Sequence, residues 1–167
     1  MTLSAPVPIS EHHDCSKFSC GTQSLDEWLR RRALSNQRDD ASRTYVVYED
    51  QSVIAYFALA SSSVALTEVA GRFRRNMPDP IPVIVLARLA VDIAAKGKGL
   101  GRALFRDAAL RVLAAADIIG ARGMIVHAIS DEALAFYEAV GMRASPLSPM
   151  TLMVTCADLR MGFRNTD

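Results

Sequence analysis

Apolar residues recur along this chain with two different periods, and each change of period marks the boundary of an element. Residues 1–10 alternate weakly and read as a first strand. Ser24-Leu25-Asp26-Glu27 has the form of a capping box, with Ser24 as N-cap and Glu27 at N3. Leu25, Trp28 and Leu29 then fall at helical spacing, which predicts a helix over 25–37 stopped by Asp39-Asp40. Arg43 to Glu49 is β-branched and aromatic, hence a strand. Asp50-Gln51 can turn the chain back into a longer strand over 53–66, giving an antiparallel hairpin. Residues 67–82 hold Gly71 and three prolines, and read as a short helix over 67–76 followed by an extended loop. Val83 to Val91 is almost uninterrupted apolar sequence, as a central strand covered on both faces requires. A loop over 92–99 follows. Leu104, Ala108, Arg111, Val112 and Ala115 keep helical spacing from Leu100 to about Asp117. Gly123 to Ile129 reads as a buried strand, and Ser130 caps a helix from Asp131 to Val140 that Gly141 ends. Thr151 to Leu159 reads as the last strand. Helices and strands alternating in this way give one α/β (α+β) domain over 1–167 with a mixed sheet.

Composition narrows the class. The chain has 167 residues, half of them hydrophobic and 22% charged, enough for a sizeable core and unlike disordered, collagenous or coiled-coil sequences. No stretch of about 20 apolar residues exists to cross a membrane. The N-terminal region, with Pro6 and Pro8 and no basic-then-apolar run, does not read as a signal peptide. Cys15, Cys20 and Cys156 cannot all pair and match no zinc spacing, so a reducing cytoplasm and no metal are expected. The net charge of +1 hides an asymmetry. Residues 72–106 carry eight Lys/Arg against two Asp/Glu, a net of +6, and the chain holds only three lysines, Lys17, Lys96 and Lys98. Arginine presents a planar fork suited to phosphate, so a local polyanion contact is expected and a globally basic protein is not.

The sharpest chemical feature is Lys96-Gly97-Lys98-Gly99-Leu100-Gly101-Arg102, between a buried strand and a long helix. Glycines allow positive φ and close approach of a ligand to the backbone. The first amides of the helix and its dipole then favour an anion, a pyrophosphate above all. The spacing G-x-G-x-G is neither the dinucleotide fingerprint nor a Walker loop. A tight turn with no ligand is the plainer reading of the glycines alone. Downstream, Phe136 and Tyr137 are adjacent on a helix and point about 100° apart, so that one can pack inward while the other reaches a cleft.

Together the loop and the segment Ser130 to Tyr137 resemble the GNAT family of N-acetyltransferases, whose Arg/Gln-x-x-Gly-x-Gly/Ala loop precedes an Asn-x-x-Ala-x-x-Phe-Tyr segment. Lys96 and Ser130 are the departures. A closer resemblance, to TacT-type acetyltransferase toxins, spans nearly the whole chain. It rests on Phe18-Ser19-Cys20-Gly21, Leu25-Asp26-Glu27-Trp28-Leu29, Arg32-Ala33, Asn36-Gln37, Ala41 to Tyr45, Arg88 to Asp92 and Pro149 to Met153. The resemblance implies a GNAT fold, a mixed and mostly antiparallel twisted sheet flanked by helices and splayed to admit acetyl-CoA. It also implies acetylation of the α-amino group of aminoacyl-tRNA, arrest of translation, a homodimer, and a ribbon-helix-helix antitoxin as partner.

Acetyl transfer needs a held thioester, a neutral amine, stabilisation of an oxyanion and a proton for the thiolate. The resemblance assigns the diphosphate to Lys96, Gly97, Lys98, Gly99, Leu100, Gly101 and Arg102. The strand residues Leu89, Ala90 and Val91 take the pantetheine arm and polarise the carbonyl, with Ser130 and Phe136 also at the acetyl-CoA site. Tyr137 is the acid, since a phenol of pKa near 10 is protonated at pH 7. Ile81 to Val91 contains no carboxylate to act as base; Asp92, Glu68 or a water chain are the alternatives. A lysine amine is neutral about once in 2,500 molecules at pH 7, an α-amine in roughly 10%, so a site without a base suits an α-amine. Arg72, Arg74, Arg75 and Arg88 are the candidates for tRNA phosphates, with Arg30, Arg31, Arg32 and Arg43 extending the surface. A solvated face, with Arg88 beside a local carboxylate, is the plainer alternative. His12 and His13 read as solvated loop, His127 as a core histidine and Trp28 as core. Two rival functions are an acetyltransferase of a small amine or protein N-terminus, and a non-catalytic acyl-CoA-binding module.

Overall fold

The computed structural model describes residues 3–165; residues 1–2 and 166–167 of the expected first strand and domain lie outside the described residues. In chain order the elements are β1 (Val7–Pro8), α1 (Gln23–Arg31), α2 (Ala33–Arg38), β2 (Arg43–Glu49), β3 (Ser52–Val64), α3 (Gly71–Arg74), β4 (Ile81–Val91), α4 (Leu100–Ile119), β5 (Gly123–His127), α5 (Asp131–Ala139), β6 (Arg143–Ser145), β7 (Ser148–Thr155) and α6 (Cys156–Asn165). Short 3-10 turns occupy Leu66–Glu68 and Ile93–Ala95.

One compact unit takes the residues up to 60 together with 87–108. Its strands run in the order β1, β2, β3, β4, with β1–β2 and β2–β3 antiparallel. Asp50 and Gln51 join β2 to β3 at φ 50° and 70°, the left-handed pair that matches the strand twist in two-residue hairpin loops. The expected helix over 25–37 is two helices, because Arg32 leaves helical geometry at φ −121°. Thr22, not Ser24, stands at the N-cap, without a side-chain bond. Asp26 from the supposed capping box is buried, and its carboxylate accepts from the Cys20 amide at 2.9 Å, the donor that a buried charge needs. The core gathers Ile9, Phe18, Leu29, Val46, Val53, Tyr56 and Ala90. Tyr56 donates from its hydroxyl to the Leu25 carbonyl at 2.7 Å and stacks on Trp28; burial pushes its phenol pKa up.

The other unit takes residues 61–86 and those from 109 onward. Its strands follow the order β4, β5, β7, β6. β4 and β5 are parallel at Ile84↔Met124 and Val85↔Ile125, and the β5–β7 and β6–β7 pairs are antiparallel. The strand pairing is mixed and mostly antiparallel, as the sequence leads one to expect. The core is Val69, Phe73, Ile81, Val83, Ile125 and Met153. The short helix expected over 67–76 is a 3-10 turn followed by the four-residue α3. The last strand stops at Thr155 instead of Leu159, since the Thr155 hydroxyl accepts from the Asp158 amide at 3.0 Å and starts α6. β6 is too short for any period to show.

Candidate active site

The turn into α4 is held by its stem. Asp92 accepts from the amides of Ser19 at 3.1 Å and Ala94 at 2.9 Å, and the Ile93 amide donates to the Ser19 carbonyl at 2.9 Å. Lys96 reaches the Cys20 carbonyl with its ammonium at 2.7 Å, so the lysine at the motif's first position is tied to the protein. Past this stem, Gly97 and Gly99 adopt φ 80° and 79°, and nothing lies within 4 Å of where a Cβ would stand on either. The Ala103 amide bonds back to the Gly99 carbonyl at 3.2 Å and starts the helix. By helix geometry the amides before it have no intrahelical acceptor, and none is found for residues 97–102 among the described residues. Lys98 and Arg102 are exposed beside them. A cavity of about 310 Å³ opens here, lined by Lys98, Gly99 and Leu100 together with Glu49, Ile54 and Asp92. An array of free amides at the positive end of a 20-residue helix, with two cations, has the donor set for a diphosphate.

Leu89, Ala90 and Val91 close β4. Ala90 packs into the core with Tyr56, while Leu89 and Val91 are half-buried. Arg88 lies over the Trp28 ring at 5.1 Å and donates to the Ala87 carbonyl at 2.9 Å. It answers to an aromatic face and a carbonyl. Trp28 itself is only partly buried.

Ser130 caps α5 as expected, its hydroxyl accepting from the Ala133 amide at 3.1 Å. Gly141 ends the helix at φ 107°. Of the aromatic pair, Tyr137 is buried and Phe136 half-buried, the rings meeting edge-on at 5.2 Å. Burial alone pushes the Tyr137 phenol up to about 12, so it keeps its proton throughout the neutral range.

Arg72, Arg74 and Arg75 are exposed on and just after α3. Arg72 pairs with Asp158 at 3.0 Å. Arg72, Arg75, Asn76, Met77 and Arg122 line a cavity of about 480 Å³. Arg122 and Asn76 escaped the sequence reading, although Arg122 is the single charge in the turn from α4 to β5 and was the available signal.

Other residues fall outside these groups. The alternative base Asp92 has both oxygens engaged by amides, and Glu68 is exposed on its 3-10 turn. His127 is not a core histidine: β5 ends there, and its exposed ring places Nδ1 at 3.0 Å from the Thr151 hydroxyl. Nor is His13 plain solvated loop; its Nδ1 accepts from the Ser10 amide at 2.9 Å, and burial lowers its pKa. Among the described residues no cluster of His, Cys, Asp and Glu could hold a metal, and no helix is long and apolar enough to cross a membrane.

A model of the acetyltransferase (GNAT) domain matches residues 40–142. The tRNA-acetylating toxin of Mycobacterium tuberculosis is 50% identical over 157 residues, covering 94% of this chain and 95% of that protein. The solved structure of AtaT complexed with acetyl-methionyl-tRNAfMet matches with a TM-score of 0.89 at 22% identity, over 97% of this chain and 99% of that one. A mutant AtaT toxin bound to the C-terminus of the antitoxin AtaR and to acetyl-CoA matches at 0.82 and 23% identity, over 98% and 99%.

Proposed function

This chain belongs to the GNAT acetyltransferase family and has the GNAT fold, and we propose that it transfers acetyl from acetyl-CoA to the α-amino group of aminoacyl-tRNA, halting translation as a toxin. The observation that carries the reading is the turn Gly97–Arg102, whose outward amides at the start of α4 fit a diphosphate. Bound acetyl-CoA supplies an acyl group activated as a thioester. Gly97, Gly99, Leu100 and Gly101 grip the diphosphate through main-chain amides, with Lys98 and Arg102 neutralising it. Lys96 acts one step back, by tying the stem of the turn to Cys20. The main chain of Leu89, Ala90 and Val91 orients the pantetheine arm and polarises the reacting carbonyl. Tyr137 gives its hydroxyl proton to the departing sulfur; Ser130 and Phe136 fix the helix that carries it.

The acceptor end of the reading rests on a missing base. β4 carries no carboxylate, and Asp92 is occupied by two amides. The amine must therefore lose its proton to water before attack, which an α-amine of pKa about 8 does readily and a lysine does not. The relative that acetylates tRNA and the AtaT complex with acetyl-methionyl-tRNAfMet support charged tRNA as the acceptor. Arg72, Arg74, Arg75 and Arg88 meet its phosphates. The reading also includes a cytoplasmic homodimer held in check by a ribbon-helix-helix antitoxin, and the AtaT complex with AtaR supports the antitoxin. Purified protein incubated with acetyl-CoA and a pool of charged tRNAs should yield N-acetyl-aminoacyl-tRNA. Turnover confined to polyamines or peptide N-termini would instead favour a small-amine or N-terminal acetyltransferase.

A further inference from the structure

Arg122 is fixed by its backbone before its side chain does anything. Its amide donates to the Pro82 carbonyl at 2.8 Å, and its carbonyl accepts from the Cys156 amide at 2.9 Å. From that anchored position the guanidinium reaches α3: Nε donates to the Phe73 carbonyl at 3.1 Å, and a terminal nitrogen donates to the Arg72 carbonyl. These carbonyls belong to a helix of four residues, too short to satisfy them internally. The arginine thus serves as the cap that α3 lacks. Immediately beyond, Asn76 turns the chain at φ 59°, a conformation that asparagine tolerates better than most residues.

That cap aims the next residues. Arg72, Arg75 and Arg122 face one cavity of about 480 Å³ together with Asn76 and Met77, and no acidic side chain lines it. Asp158 pairs with Arg72 at 3.0 Å, which still leaves the three guanidinia a surplus of two positive charges for an anion to offset, and two N–H forks on a phosphate are the strong form of that contact. The volume suits a phosphodiester with its sugar and is far too small for a duplex.

We propose that this cavity takes a phosphodiester of the tRNA backbone, and that Arg122 is the positioning residue that holds Arg72 and Arg75 around it. The inference rests on the charged-tRNA substrate proposed above. Its test compares two acceptors bearing the same amino acid, aminoacyl-tRNA and aminoacyl-adenosine, the second having a free α-amine but no phosphodiester. Arg122→Gln should raise KM for aminoacyl-tRNA roughly tenfold. It should also flatten the plot of log(kcat/KM) against log[salt] by about one unit. With aminoacyl-adenosine its kcat and KM should stay within twofold of the parent. Arg122→Lys, which keeps the charge but not the fork, should recover part of the KM. Arg75→Gln, at an exposed residue just after α3, should show the same tRNA-selective rise. An equal loss on both acceptors in Arg122→Gln would make the residue merely structural and overturn the positioning role. Unchanged KM and salt slope in both variants, on an enzyme that acetylates charged tRNA normally, would overturn the phosphate site while leaving the enzyme's function standing. An enzyme that acetylates no charged tRNA in any form would instead remove the reading beneath it.

Discussion

A phenol can act as an acid only while it holds its proton, and burial of Tyr137 secures that by pushing its pKa up to about 12. Tyr137→Phe removes the hydroxyl with its proton and keeps the ring. The turnover number should fall by about 10²-fold or more, while acetyl-CoA binding measured by calorimetry stays the same. In the parent enzyme, kcat/KM should rise with pH through the pKa of the substrate amine, near 8 for an α-amine, and then level off. The Tyr137 phenol should add no second ionisation in the neutral range, because burial holds its pKa at about 12. The same burial has a cost at high pH. The folded phenol titrates above the unfolded one, so the fold keeps its full stability below pH 10 and loses it as the pH rises towards 12. Up to about 2–3 kcal/mol is at stake, and the gap between urea midpoints at pH 8 and pH 11 should be narrower in the Tyr137→Phe variant than in the parent, with Tyr56, whose phenol is also raised by burial, keeping part of it. Residues such as Tyr137 and Ser130 were legible in the sequence because a local motif carries them. His127 was not: the four strand residues before it are all buried, and only the end of β5 tells that the ring stands in solvent.

At the scale of elements, the turn from β4 into α4 was the easiest piece to find, since its glycines sit between an apolar run and a helical period. What the sequence does not display is the stem, where Asp92 and Lys96 bond to Ser19 and Cys20, residues more than seventy positions away. Gly99 tests the turn. At φ 79°, alanine meets no neighbouring atom but must hold a left-handed conformation, costing about 1–2 kcal/mol. Gly99→Ala should therefore raise KM for acetyl-CoA severalfold with kcat little changed, and a melting curve should drop by a few degrees. Gly123 is the opposite kind of glycine. A Cβ there would stand 2.0 Å from the Val154 carbonyl oxygen and 3.0 Å from the Phe73 ring. Gly123→Ala must push β5 off β7, and denaturant unfolding should show a loss of about 1–3 kcal/mol or more. The hairpin β2–β3 was legible because its turn and its alternation agree. The start of α6 was misread because Cys156 to Leu159 carries no strong period, although Thr155 and Asp158 have the spacing of a helix cap.

For the molecule as a whole, charge decides how a large polyanion is met. A net of +1 offers no long-range pull, yet residues 72–106 hold a surplus of six positive charges. Capture of tRNA should then come from a few contacts and not from a general field. The sequence shows this surplus but not its arrangement: Arg72 is partly neutralised by Asp158, Arg88 is laid on Trp28, and Arg122, from outside the basic segment, joins Arg72 and Arg75. Two or three phosphates neutralised in this way imply a slope of roughly −2 to −3 in log(kcat/KM) for charged tRNA against log[salt]. Raising salt from about 50 to 200 mM should accordingly cut that rate by roughly fifteenfold to sixtyfold. With aminoacyl-adenosine, which offers no phosphodiester, the same change should hardly register. Steady-state kinetics at four salt concentrations on both acceptors would read the difference directly. A flat response with tRNA would mean that the arginines of this segment stay in solvent and that the acceptor is recognised through its terminal amino acid alone.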